Sequence, residues 1–154
     1  VEPAPLLTQA PRVPGLDGRK MSKSFGNAIW MEDEPTVIQQ KLLQSLTDPA
    51  RKKRSDPGNP DVCPVFDFHK LVSSRETIDR VNKECRTAEI GCVDCKKLSA
   101  GYAIDFFKEF REKKREWGKK EKQLKALAAE GAERARKEAQ KTLTMVKEAL
   151  GWSS

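Results

Sequence analysis

Long apolar runs are missing from this sequence. No stretch approaches the roughly 20 residues that a helix needs to cross a bilayer, and no basic segment followed by an apolar one stands near the N-terminus. A soluble, cytoplasmic chain is therefore expected. Histidine occurs once, at His69. No serine or cysteine nucleophile arrangement points to it, so it reads as a packing or hydrogen-bonding residue behind Phe66 and Phe68 rather than as a catalytic base. Alternating strand patterns of useful length and internal repeats are also absent, which leaves a mainly α fold. There is no initiator methionine. The chain opens at Val1 in a stretch carrying Pro3, Pro5, Pro11 and Pro14, which reads as extended backbone and predicts a fragment of a longer protein.

What is present is charge. Of 154 residues, 34% are Asp, Glu, Lys or Arg, and the net charge is +7, a balance suited to a polyanionic partner and equally to a helical protein with a lysine-rich surface. Residues 1–31 show turn chemistry and little periodicity. From Pro35, behind Asp33 and Glu34, the pattern turns helical, with Val37, Ile38, Leu42, Leu43 and Leu46 on one face and Asp48-Pro49 as its close. An apolar patch at 62–68 precedes Ser73-x-x-Glu76, whose capping-box spacing predicts a helix faced by Ile78, Val81 and Cys85. The chain tightens at 91–95, and Leu98, Ala103, Ile104, Phe107 and Phe110 form a further helical stripe. A last helix is expected to run to about Leu150 and stop at Gly151.

One loop stands out. Residues 20–24 read Lys-Met-Ser-Lys-Ser, with Gly15, Gly18 and Gly26 around them. Lys20 and Lys23 are flexible point charges at i and i+3, able to follow a phosphate chain that changes shape during a reaction. Ser22 and Ser24 add donors without bulk. Such groups accelerate chemistry when they meet charge that develops only in the transition state.

The only cysteines are Cys63, Cys85, Cys92 and Cys95, separated by 21, 6 and 2 residues. The closing Cys-x2-Cys lets two sulfurs reach one centre from a single turn. Two disulfides, four separate buried thiols, or a four-thiolate metal centre all fit, and the residues alone do not separate zinc from an iron–sulfur cluster. Basic side chains concentrate in two places. Arg51, Lys52, Lys53 and Arg54 form a run, and 108–125 holds nine basic against four acidic residues, among them Arg111, Lys114 and Arg115. Both segments suit phosphate contacts; a solvated helix face pairing Glu109, Glu112, Glu116 and Glu121 with lysines is the alternative.

The pentapeptide is the signature of class I aminoacyl-tRNA synthetases. The whole chain resembles the C-terminal part of the bacterial tryptophanyl-tRNA synthetases, through Pro14-Gly15-Leu16-Asp17-Gly18, Thr47-Asp48, and Leu127-x3-Gly131-Ala132-x2-Ala135. The resemblance implies that residues 1–31 end a Rossmann-type catalytic domain carrying this loop, and that 32–154 form a helical anticodon-binding domain. It implies ATP contact by Lys20, Met21, Ser22, Lys23 and Ser24, with Lys20 and Lys23 on the β- and γ-phosphates. ATP, Mg2+, tryptophan and tRNA(Trp) follow as substrates and partners, with a homodimer formed through the absent domain. Some relatives hold a [4Fe–4S] cluster on four cysteines with a first gap one residue longer, close to where the anticodon is read. The nucleotide-binding half and its His-Ile-Gly-His-type motif lie outside this sequence, so the chain alone is expected to be inactive. The competing reading is a free-standing, metal-stabilised RNA-binding module.

Overall fold

The computed structural model describes residues 2–7 and 12–152; Pro11 of the proline-rich stretch lies outside them. Six α-helices follow one another: α1 (Pro35–Gln44), α2 (Pro64–Val72), α3 (Arg75–Arg86), α4 (Cys92–Phe106), α5 (Lys108–Gly118) and α6 (Glu121–Ala149). Among the described residues the nearest approach to a strand is one isolated bridge between Pro14 and Lys20, so the expectation of a mainly helical protein holds.

Proline sets the first helix, as its fixed φ suggests. Pro35 occupies the first turn of α1, and the helix buries Ile38 and Leu42. Leu46, expected on the same face, falls beyond the helix and is exposed. The helix ends at Gln44, two residues before Leu46, because Ser45 folds back on Leu42, its N–H and its hydroxyl both donating to that carbonyl at 3.2 and 2.7 Å.

The apolar patch at 62–68 is not a prelude to a helix but most of one. Pro64 starts α2, which buries Val65, Phe66, Phe68 and His69. Ser73, expected to open the next helix, instead closes this one, its N–H donating to His69 O at 2.8 Å. The N-cap of α3 is Ser74, whose side chain accepts from Thr77 N at 3.3 Å. Gly91 caps α4, so Cys92 and Cys95 lie in its first turn. The apolar stripe that follows is divided at Phe107 between α4 and α5, and Phe106 and Phe110 are exposed.

The chain forms two compact units, Val1–Arg111 and Glu112–Ser154. The first contains two apolar clusters. One joins Ile29, Ile38, Leu42, Phe68, Ala100 and Ala103, with Leu16 and Met21 packed against it. The other gathers Cys63, Val65, Phe66 and Val81, with Ile78, Ile90, Cys95 and Leu98 around them. The second unit contains α6, none of whose 29 residues is buried, and it ends where expected, at Gly151 with φ 68°. No helix among the described residues is long and apolar enough to cross a membrane.

Candidate functional site

Gly15 to Asn27 form a compact loop rather than a loose one. Gly15 N–H donates to Arg19 O at 2.7 Å, Gly18 N–H to Gly15 O at 3.0 Å, and Met21 N–H to Val13 O at 2.9 Å. Asn27 is the clamp. Its side-chain amide donates to Asp17 Oδ1 at 2.7 Å and to Lys20 O at 3.3 Å, while its Oδ1 accepts from Ser22 N at 2.9 Å. Gly15 leaves room for that amide: a Cβ there would stand 2.1 Å from Asn27 Nδ2. The Asn27 bond, followed by those from Arg19, draws the Asp17 carboxyl down from its ordinary 3.8 to about 2. Met21 anchors the loop on the core below.

Lys20 and Lys23 sit on this frame with exposed side chains. Ser22 precedes a short 3-10 turn, Lys23–Phe25, closed by Gly26 at φ 64°. The turn offers Lys23 and Ser24 to solvent while Met21 points inward. The arrangement presents two ammonium groups from one anchored loop, a geometry suited to an anionic chain of more than one phosphate. Asn27 was not singled out by the sequence, because an asparagine after Phe-Gly has no signal of its own; its role appears only when Asp17 and Ser22 come to meet it.

The second constellation is the four cysteines. All four are free thiols. Cys63 caps α2, Cys85 ends α3, and Cys92 and Cys95 start α4. The turns between these helices bring them together closely enough that their charges act on one another. Burial, and then Cys63, Cys85 and Cys92, push the Cys95 thiol up to about 12, and burial likewise raises Cys63 and Cys85. Among the described residues, no three His, Cys, Asp or Glu side chains are grouped so as to hold a metal ion.

The basic run between them does unexpected work. Arg51 turns inward, donating through Nη2 to Arg54 O and Ile90 O, both at 2.9 Å, with Nη1 at 4.0 Å from Cys85 Sγ. Arg54 forks onto Ala88 O and Glu89 O, the latter at 2.6 Å. That fork braces the turn after α3, where Ala88 takes the left-handed φ of 60°. Lys52 and Lys53 are exposed; their backbone N–H groups donate to Asp56 Oδ2 at 3.1 and 2.7 Å, and Lys53 O accepts from Asp56 N–H at 3.1 Å. An open cleft of about 300 Å³ separates residues 51–54 from 91–94 and has Cys92 on its wall.

In the other basic segment Lys114 and Arg115 are exposed, but Arg111 is 6% exposed and donates to Ile104 O at 2.5 Å. Arg111, named above among residues suited to phosphate contacts, therefore does not present its guanidinium to solvent. His69 is fully buried and hydrogen-bonded, as expected for a packing residue.

Comparison with known proteins places these features together. The chain is 39% identical over 150 residues to a tryptophan–tRNA ligase of Aquifex aeolicus, covering 97% of this chain and 38% of that protein. It is 41% identical over 150 residues to a tryptophan–tRNA ligase of Thermotoga maritima, covering 97% and 46%. A crystal structure of tryptophanyl-tRNA synthetase from Campylobacter jejuni, complexed with ADP and tryptophan, superposes with a TM-score of 0.78 at 28% identity, over 91% of this chain and 43% of that one. The chain thus spans less than half the length of these relatives. Because the family profile of the tRNA synthetases class I (W and Y) matches residues 2–108, well over half of the sequence, the chain belongs to that family.

Proposed function

We propose that this chain is the part of a tryptophan–tRNA ligase that supplies the phosphate-binding loop and a helical tRNA-binding domain. Residues 1–31 close the catalytic domain and 32–154 form the anticodon-binding part. The complete enzyme joins tryptophan to tRNA(Trp) at the expense of ATP, with Mg2+, as a cytoplasmic homodimer assembled through the catalytic domain. The observation that carries this reading is the anchored loop with Lys20 and Lys23 exposed, in a chain similar to tryptophan–tRNA ligases over 97% of its length.

In this reading the residues act as follows. Lys20 and Lys23 hold the β- and γ-phosphates and stabilise pyrophosphate as it leaves; Ser22 and Ser24 give the loop its donors, and Met21 fixes its base. Lys52, Lys53, Lys114 and Arg115 face tRNA phosphates. Arg51 and Arg54 shape the surface from beneath through the 88–90 turn, and Arg111 steadies the end of α4 through Ile104.

Cys63, Cys85, Cys92 and Cys95 hold a [4Fe–4S] cluster in this reading, with zinc as the alternative. If bound there, either centre would take its ligands from these four thiolates and would supply a structural cross-link. What supports this reading is the four free thiols at the adjoining ends of α2, α3 and α4; no three His, Cys, Asp or Glu side chains among the described residues are grouped to hold a metal ion. The cluster supplies no step of the ligase reaction; it ties α2, α3 and α4 together where they meet.

The test is pyrophosphate exchange. The chain is mixed with ATP, Mg2+, tryptophan and labelled pyrophosphate, alone and with the nucleotide-binding half of a relative. Exchange is expected only in the mixture, and Lys23→Ala should lower it by about a hundredfold or more while leaving the helical circular dichroism unchanged. No exchange in either mixture, with tRNA still bound, would instead establish a free-standing RNA-binding module. Iron and sulfide in fourfold ratio to protein support the cluster, and one zinc in a colourless protein replaces it.

A further inference from the structure

We infer that Asn27 is a positioning residue for the ligase reaction, acting through Lys20 and Lys23 by fixing the backbone from which both lysines project. This rests on the function proposed above. Each lysine carries its charge on a long, flexible stem, so the direction of the backbone beneath it governs where the ammonium group falls. Asn27 grips that backbone on both sides of Met21. Its Nδ2 donates to Lys20 O at 3.3 Å and its Oδ1 accepts from Ser22 N–H at 2.9 Å, while Met21 packs on the apolar core between them. Ser22 is held extended, at φ −151° and ψ 140°, where it leads into the turn that carries Lys23.

The clamp is itself anchored. Asn27, Ala28 and Ile29 are all buried, and Lys41 of α1 donates to Ala28 O at 3.1 Å. The Asn27 carbonyl accepts from Leu16 N–H at 3.0 Å. Asp17 fixes which way the amide faces: a carboxylate only accepts, so the group 2.7 Å from its Oδ1 is Nδ2, and the amide oxygen is left for Ser22. Arg19 shares that carboxylate, with Nε 2.7 Å from Oδ2, and its guanidinium lies 4.3 Å from the centre of the Phe25 ring. The brace therefore closes across the loop from residue 19 to residue 25 and leaves the side chains of Lys20 and Lys23 exposed.

In the activation step a carboxylate oxygen of tryptophan bonds to the α-phosphorus of ATP. The bond from that phosphorus to the α,β-bridging oxygen breaks, and its electron pair leaves on pyrophosphate. Negative charge grows on the leaving group only as this happens, so cations placed in advance stabilise the transition state more than bound ATP. Misplacing such a group by about 1 Å costs on the order of a hundredfold in rate. ATP carries most of its phosphate charge before reaction, and a lysine on a loosened loop still reaches it. Losing the clamp should therefore lower kcat and change the KM for ATP little.

The experiment measures tryptophan-dependent exchange of labelled pyrophosphate into ATP by the full chain mixed with the nucleotide-binding half of a relative, with helical circular dichroism as the check on folding. Asn27→Ala should lower kcat about ten- to hundredfold and change the KM for ATP by less than about threefold. Asn27→Asp keeps an acceptor for Ser22 N–H but sets a second carboxylate against Asp17, and should lose as much. Adding Asp17→Asn returns a donor to the pair and should restore most of the rate. In a chain already carrying Lys20→Ala and Lys23→Ala, Asn27→Ala should cost less than about threefold more, because it acts through those two lysines. Three results would each overturn the inference while the ligase reading stands: unchanged kcat in Asn27→Ala, no recovery when Asp17→Asn joins Asn27→Asp, or the full loss repeated in the chain without the two lysines. A parent mixture that shows no exchange overturns the ligase reading and this inference with it.

Discussion

Asn27 decides whether the lysine-bearing loop is a frame or a tether. It is 4% exposed and satisfies three groups at once: the Asp17 carboxylate, the Lys20 carbonyl and the Ser22 N–H. Asn27→Ala should therefore cost about 1–3 kcal/mol in chemical unfolding, because the Ser22 N–H loses its acceptor. Asp17 gives the same contact a pH signature. Its folded-state carboxyl is depressed from 3.8 to about 2, first by the Asn27 bond. A depressed carboxyl contributes above its unfolded value and loses that contribution as pH falls through the folded one, so the loop contact should persist at pH 5 and weaken between about 4 and 2. Carboxyl chemical shifts should show Asp17 titrating near the lower end of that window, and Asn27→Ala should return it toward the ordinary value. A parent Asp17 titrating at its ordinary value would show that the clamp does not form.

At the scale of elements, the marks set by single residues were legible, and the geometry set by contacts between distant residues was not. Pro35 and Gly151 mark helix limits wherever they stand, because φ preference is a property of one residue. The helix α2 was obscured because its nine residues carry too few turns for a period, and its valines and phenylalanines suit a strand as well as a buried helix. Ser73 and Ser74 differ only in which neighbour claims each. Both have capping chemistry, and the His69 ring, whose position depends on tertiary packing, takes the first. The candidate site divides the same way. The lysines and the cysteine spacing were legible, while Asn27 and the inward turn of Arg51, Arg54 and Arg111 depend on contacts between distant residues. A direct check follows from the cap. Ser74→Ala should cost about 0.5–2 kcal/mol in thermal or urea unfolding, while Ser73→Ala should leave the Ser74–Thr77 cap intact and perturb the His69 ring signals instead. Equal unfolding losses with unshifted ring signals would contradict that division of labour.

For the whole molecule, the two units draw on different sources of stability. Val1–Arg111 encloses two apolar clusters, so opening any of α1, α2 or α4 exposes buried side chains together. In Glu112–Ser154, α6 buries none of its residues, and Leu127, Leu143 and Val146 remain about half exposed. Its side chains pair within the helix, as in Lys125–Glu121 at 2.6 Å, Arg136–Glu133 at 2.7 Å and Lys141–Glu138 at 2.8 Å, with every partner more than half exposed. Such solvated pairs contribute about 0.3–0.5 kcal/mol each and weaken in salt. Even a 29-residue helix held mainly by propensity and these pairs opens locally far more often than one whose opening requires disrupting a core. Native-state hydrogen exchange of the chain should therefore show α1 and α4 amides protected up to the global unfolding limit. Amides of α6 should exchange well before them, and faster still as salt is raised from low to physiological concentration. Protection of α6 equal to that of α4 would mean that its exposed leucines are covered in solution. Analytical ultracentrifugation of the same sample would then tell whether a second copy covers them.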